Sequence, residues 1–127
     1  ARLVQHGALK QDRLIHGDYN LLNIMQANGT YTIIDWTNGQ LGDPRYDIAW
    51  SGLIIKIYAS ERYGTYYLSQ FLAGDQYTRD ELERFEAIAC LRWILMNRIA
   101  TLPKDKNTLL RVKRILQNNP CLNENLL

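Results

Sequence analysis

The chain has 127 residues, 46% of them hydrophobic, enough for one domain with a real core and too few for two ordinary ones. Fifteen Lys and Arg against thirteen Asp and Glu leave a net charge of +2, far from the concentrated basic field with which a dedicated nucleic-acid binder releases counterions, so no nucleic-acid partner is expected. No run approaches the roughly twenty apolar residues of a membrane span, and Ala1 to Lys10 lacks the apolar core of a signal peptide, so no membrane association and a cytoplasmic location are expected.

Cys90 stands in an apolar, helix-like run and Cys121 in a polar tail, neither with a second Cys or a His at metal-ligand spacing. They favour a reducing compartment, with one disulfide between them left open. No internal repeat, low-complexity stretch or Ser/Pro-rich linker divides the chain, so residues 1–127 are taken as one domain.

In chain order, Leu14-Ile15 is a short apolar stub. Strand-like runs at Asn23 to Gln26 and Tyr31 to Ile34 flank Asn28-Gly29, and Asn-Gly between apolar runs predicts a hairpin because both central residues of a type I′ turn need positive φ. The pattern turns helical at Asp43, an N-cap followed by Pro44, with Tyr46, Trp50, Leu53 and Ile57 on one face. A second helix is predicted from Glu61 to Ala73, with Gly74 as its stop. Thr78-Arg79-Asp80-Glu81 reads as a capping box for a third, running to about Ala100, with Leu82, Phe85, Ala89, Trp93 and Met96 facing the core. A fourth runs from near Pro103 towards Gln117 and is closed by Asn118-Asn119-Pro120. The fold class is mainly α with a small β-hairpin (α+β).

With Asn28 and Gly29 as turn residues, Ala27 pairs with Thr30, Asn23 falls opposite Ile34 and Leu22 opposite Asp35. Asn23 and Asp35 thereby reach the same end of the hairpin. Strict alternation would aim their side chains at opposite faces, so joint action requires the ladder to end or bulge there.

The stretch His16 to Asn23 holds a carboxylate, Asp18, with an amide five residues later, and Asp35 follows the second strand directly. Phosphoryl transfer asks for such a set. Mg²⁺ takes one or two protein oxygens while nucleotide phosphates and waters complete its shell. A separate carboxylate accepts the hydrogen bond, then the proton, of the attacking hydroxyl.

His-Gly-Asp, four residues, Asn, then Ile-Asp-Trp and Gly-Asp-Pro-x-Tyr-Asp-Ile-Ala, from His16 to Ala49, resembles in order and spacing the signature of the aminoglycoside phosphotransferase and choline kinase superfamily, relatives of protein kinases. The resemblance implies the C-terminal lobe of a protein-kinase-like fold. It implies Asp18 as catalytic base, His16 as a brace of the catalytic loop, Asn23 and Asp35 as Mg²⁺ ligands, and ATP as co-substrate for phosphorylating a small-molecule hydroxyl acceptor. Gly17 stands where protein kinases carry the Arg that reads a phosphorylated activation loop, and Asp35-Trp36 replaces Asp-Phe-Gly, which favours a small-molecule substrate. Family members often have Pro and Gly between the Asp and the Asn, where this chain has Tyr19-Asn20-Leu21-Leu22.

Plainer roles compete for several of these residues. His16 alone reads as a satisfied structural histidine. Asp43 and Asp47 read as helix-capping and helix-dipole residues that support the site indirectly. Trp50 and Trp93 read as core, with a substrate-binding aromatic as the minor alternative. Lys104, Lys106, Arg111, Lys113 and Arg114 read as a solvated helix face.

The glycines never fall at G-x-G-x-x-G spacing, and the resemblance implies an N-terminal lobe with a phosphate-covering loop and a Lys. The expectation is a C-terminal lobe that is inactive alone, has the missing lobe as its partner, and self-associates through the uncovered interface. The alternative is a kinase-derived binding or regulatory domain without turnover.

Overall fold

A computed structural model describes residues 11–122; the opening stretch 1–10, judged above for a signal peptide, lies outside the described residues. Two antiparallel ribbons precede four helices. Strand β1 (Arg13–Ile15) pairs with β4 (Gln40–Gly42), and β2 (Ile24–Ala27) pairs with β3 (Thr30–Ile33). Single 3₁₀ turns, Leu21–Asn23 and Trp36–Asn38, stand before β2 and after β3. The helices are α1 (Pro44–Tyr58), α2 (Glu61–Leu72), α3 (Arg79–Ile99) and α4 (Thr108–Asn118).

The β2–β3 register follows from its turn. Asn28 and Gly29 take φ of 51° and 77°, and Ala27 pairs with Thr30, the two-residue loop whose twist matches that of the strands. The ladder ends at Ile24 opposite Ile33. Beyond it Asn23 closes the 3₁₀ turn instead of beginning the strand, and Asp35 turns left-handed at φ 58°, ψ 66°. A last backbone bond, Ile34 N–H to the Asn23 carbonyl at 2.8 Å, keeps the two segments together.

The β1–β4 ribbon enlarges the apolar stub expected at Leu14-Ile15. Each strand is three residues long, Leu14 and Leu41 both face outward, and Ile15 is the one buried side chain beside the buried Gly42, which leaves too little alternation to signal a strand.

Helix α1 starts as its sequence dictates: the Asp43 carboxylate accepts the Arg45 N–H at 3.0 Å and Pro44 occupies the first turn. Trp50, Leu53 and Ile57 of α1 meet Ala89, Cys90, Trp93 and Ile94 of α3 and Val112, Ile115 and Leu116 of α4 in one core. Helix α2 lies on α1, its Tyr67 hydroxyl 2.7 Å from Ser51 Oγ. It ends at Leu72, one residue before the expected Ala73.

Two helix ends depart from expectation. Thr78 Oγ1 accepts the Glu81 N–H at 3.2 Å, half of a capping box, while the Glu81 carboxylate pairs with Arg45 at 3.2 Å. Helix α4 begins at Thr108, not near Pro103, because Asp105 diverts the chain. Its carboxylate accepts the Asn107 N–H at 2.7 Å, and Thr108 Oγ1 accepts the Asp105 N–H at 2.9 Å, a local turn that competes with helix. Both cysteines are free, Cys90 buried and Cys121 exposed, which closes the question of a disulfide between them. Among the described residues no helix is long and apolar enough to cross a membrane.

Candidate catalytic loop

Between β1 and β2 the chain folds over the start of α1. Asp47, one turn into that helix, accepts two consecutive backbone N–H groups, His16 at 2.7 Å on Oδ2 and Gly17 at 2.9 Å on Oδ1. A carboxylate bridging adjacent amides fixes the peptide unit that leads into Asp18. Gly17 sits at φ +83°, and a Cβ there would lie 2.5 Å from the Asn38 carbonyl oxygen and 2.8 Å from Asn38 Cβ. Conformation and space both require glycine at this point.

His16 is 2% exposed and uses both ring nitrogens. Nε2 lies 2.8 Å from the Ile34 carbonyl and Nδ1 accepts the Asp18 N–H at 3.1 Å. A carbonyl can only accept and an amide N–H only donate, so the ring is neutral with its proton on Nε2. It ties the candidate loop to the end of β3, with Trp36 against it at a ring separation of 4.7 Å.

The Asp18 side chain is gripped on one oxygen. Oδ1 accepts from Trp50 Nε1 at 2.9 Å and Asn20 Nδ2 at 3.2 Å; Oδ2 has one long approach, from Asn23 Nδ2 at 3.4 Å. Asn20 organises the turn between Asp18 and Asn23. Its Oδ1 accepts the Leu22 N–H at 2.9 Å and its Nδ2 donates to the Asp18 carbonyl at 3.0 Å, an Asx-type device that caps the 3₁₀ turn.

Asn23 Nδ2 also donates to the Asp18 carbonyl, at 2.9 Å, which assigns the amide nitrogen inward and leaves its oxygen on the other side. Asp35, exposed beside the left-handed turn, accepts the Thr37 hydroxyl at 2.5 Å on Oδ1. That hydroxyl, followed by the Thr37 backbone N–H, holds the Asp35 carboxyl below its usual range. An amide oxygen and an ionised carboxylate at one hairpin end fit a hard cation. No group of three His, Cys, Asp or Glu capable of holding a metal occurs among the described residues.

The two supporting carboxylates divide. Asp47 holds the loop. Asp43 turns to Arg45, receiving Nε at 3.0 Å and Nη2 at 2.6 Å, and so fastens the start of α1 towards α3, where Arg45 also meets Glu81 and lies over Phe85 at 4.7 Å.

Four residues at the site escape the sequence reading. Asn20 and Thr37 are short polar groups whose bonds are local. Trp50, read as core, is 2% exposed yet donates its indole N–H to Asp18; three positions after Asp47, it shares that residue's helix face, which was the available signal. Arg92 gave none. From α3, 75 residues along the chain, its Nη1 donates to the Gly17 carbonyl at 2.5 Å and to the Tyr46 hydroxyl at 2.6 Å.

A model of the phosphotransferase enzyme family matches residues 1–88, more than half of the chain and the whole of this loop. No curated protein and no solved structure gives a significant match. The family assignment agrees with the fold and with the motif from His16 to Ala49, and the chain belongs to the phosphotransferase enzyme family.

Proposed function

We propose that the protein transfers the γ-phosphoryl group of ATP to a hydroxyl of a small molecule, with Asp18 as base and Asn23 and Asp35 as Mg²⁺ ligands. The observation that carries the reading is the asymmetric grip on Asp18. Trp50 and Asn20 hold Oδ1, while among the described residues Oδ2 has only the 3.4 Å approach of Asn23. A carboxylate so oriented can take an acceptor's O–H. The hydroxyl oxygen forms a bond to the γ-phosphorus, the bond from that phosphorus to the ADP oxygen breaks, and the hydroxyl proton passes to Asp18. Bound Mg²⁺ would neutralise charge on the phosphate oxygens at Asn23 and Asp35. His16 and Asp47 position the loop without touching the reacting atoms.

The sequence contains no G-x-G-x-x-G, so we place the phosphate-covering element in a nucleotide-binding lobe outside these 127 residues. Leu21, Leu22, Met25, Tyr31 and Trp36, all exposed around the hairpin, supply an apolar face for that lobe. Catalysis of this kind depends on positioning, so these 127 residues alone are expected to bind Mg-ATP weakly and turn it over negligibly. The second reading, a binding domain without turnover, draws on the same missing motif.

Asp18→Ala in the protein at its natural length should abolish transfer, and a rate within tenfold of wild type would remove Asp18 as base. A thermal-shift screen with Mg-ATP against aminoglycosides, choline, homoserine and sugars would identify the acceptor.

A further inference from the structure

Beside Asp18 lies a cationic group that the base, metal and loop-brace roles leave unused. The Arg92 carbon Cζ is 4.2 Å from the centroid of the Trp50 ring and 5.9 Å from that of Tyr46, and the two rings stack nearly parallel, 10° apart at 6.4 Å. Nη1 carries two hydrogens. One goes to the Gly17 carbonyl and the other to the Tyr46 hydroxyl. The Tyr46 hydroxyl oxygen accepts the second of these bonds, and burial raises the pKa of that hydroxyl above its ordinary value.

We propose that Arg92 is a positioning residue for the Asp18 carboxylate, acting through the Gly17 carbonyl on the backbone and through the Trp50 indole on the side chain. It rests on the reading of Asp18 as base. The residue before Asp18 is held at both ends: Asp47 of α1 takes the Gly17 N–H, and Arg92 of α3 takes the Gly17 C=O. The guanidinium over the indole fixes the ring whose Nε1–H reaches Asp18 Oδ1 at 2.9 Å. A cation on the ring face also draws electron density from the indole, making its N–H a stronger donor to the carboxylate. The orientation of Oδ2 towards an acceptor thus depends on a side chain that touches neither oxygen of Asp18.

Two measurements test this, the first independent of turnover. In ¹⁵N-edited NMR of the protein, the Trp50 and Trp93 indole N–H groups are both buried, and Trp93 bonds elsewhere, to the Tyr58 hydroxyl at 3.1 Å. Arg92→Gln is expected to speed solvent exchange of the Trp50 indole proton by about tenfold while leaving that of Trp93 unchanged. Equal acceleration of both, or of neither, overturns the proposal. If Arg92→Gln fails to fold, Arg92→Lys is used, which keeps the charge but loses the planar stack.

The second measurement is phosphate release from Mg-ATP with water as acceptor, in the protein at its natural length. Arg92→Gln and Trp50→Phe should each lower kcat about tenfold with KM for Mg-ATP held within about twofold. Neither should lower the residual rate of Asp18→Ala further. A rise in KM with kcat unchanged overturns the positioning role. An Asp18→Ala variant that retains its rate removes the base and the functional proposal with it, whereas a silent Arg92→Gln beside an inactive Asp18→Ala removes the proposal alone.

Discussion

Asp47 Oδ1 accepts the Gly17 N–H at 2.9 Å across 30 positions of sequence, while its Oδ2 accepts the His16 N–H at 2.7 Å. One carboxylate therefore joins the start of α1 to the loop that presents Asp18. Asp47→Ala strips two partly buried amides of their acceptor, and each unsatisfied amide costs about 1–3 kcal/mol. The expected result is a stability loss of about 2–6 kcal/mol in urea unfolding and a fall in phosphoryl transfer of at least about a hundredfold, because a small misplacement of the proposed base is enough. Full activity in a destabilised Asp47→Ala protein would show that the loop holds its shape without the bridge.

The core predicts a simpler response. Leu53 is completely buried between α1, α3 and α4. Leu53→Ala should cost about 2–5 kcal/mol, the transfer term plus the cavity left behind. An apolar side chain supplies none of the hydrogen bonds that hold the loop, so thermal stability is expected to fall more than turnover per folded molecule. Equal loss of both under conditions where the protein remains folded would mean that the core sets the loop geometry directly.

Much of this was legible because it is local. Asn28-Gly29 set the hairpin register, Asp43-Pro44 set the start of α1, and the Asp18, Asn23 and Asp35 spacing pointed to the candidate site. What was not legible depends on long-range pairing or on competition between local choices. The β1–β4 ribbon joins two three-residue strands about 27 positions apart, with one buried side chain between them. The Asp105 turn displaced the start of α4 because a carboxylate two residues from an N–H competes with the helix at close range. Arg92 reaches Gly17 only because α3 crosses behind the loop, which no spacing rule in one sequence encodes.

The two thiols should separate chemically. Burial, reinforced by the nearby Glu86 charge and opposed by Lys56, pushes Cys90 up to about 12 from a usual value of 9.0, whereas Cys121 is exposed. The thiolate is the reactive form. A disulfide reagent at pH 8 should therefore modify one thiol per native chain quickly and the second only in denaturant; two fast thiols would mean that the core around Cys90 opens readily. Because the fold favours the neutral thiol, its contribution to stability is fully present below about pH 9 and declines as pH rises from 9 towards 12, where only the unfolded chain ionises freely.

Thr37 offers a test of the proposed cation site that separates geometry from charge. Its hydroxyl donates to Asp35 Oδ1 at 2.5 Å and is the largest cause of the lowered Asp35 pKa. Thr37→Val keeps the side-chain shape and removes the donor. The Asp35 pKa then rises towards its ordinary value, 3.8, which is still far below neutrality, so the carboxylate stays ionised at pH 6 and at pH 8 in both proteins. Loss of charge cannot explain any effect between those values. What changes is the freedom of the carboxylate, which keeps the Thr37 backbone N–H but loses the hydroxyl that fixes its rotamer beside the left-handed turn. Groups that orient a metal ligand typically contribute about tenfold to a hundredfold in affinity, and Asp35 is exposed, so the lower figure applies. Calorimetric titration of the protein at its natural length with Mg-ATP should show affinity about tenfold weaker for Thr37→Val, by the same factor at pH 6 and pH 8. An unchanged affinity at both values would mean that Asp35 is held by its backbone alone or does not ligate the metal, and Asp35→Ala separates the two: weakened binding supports the first and unaltered binding the second.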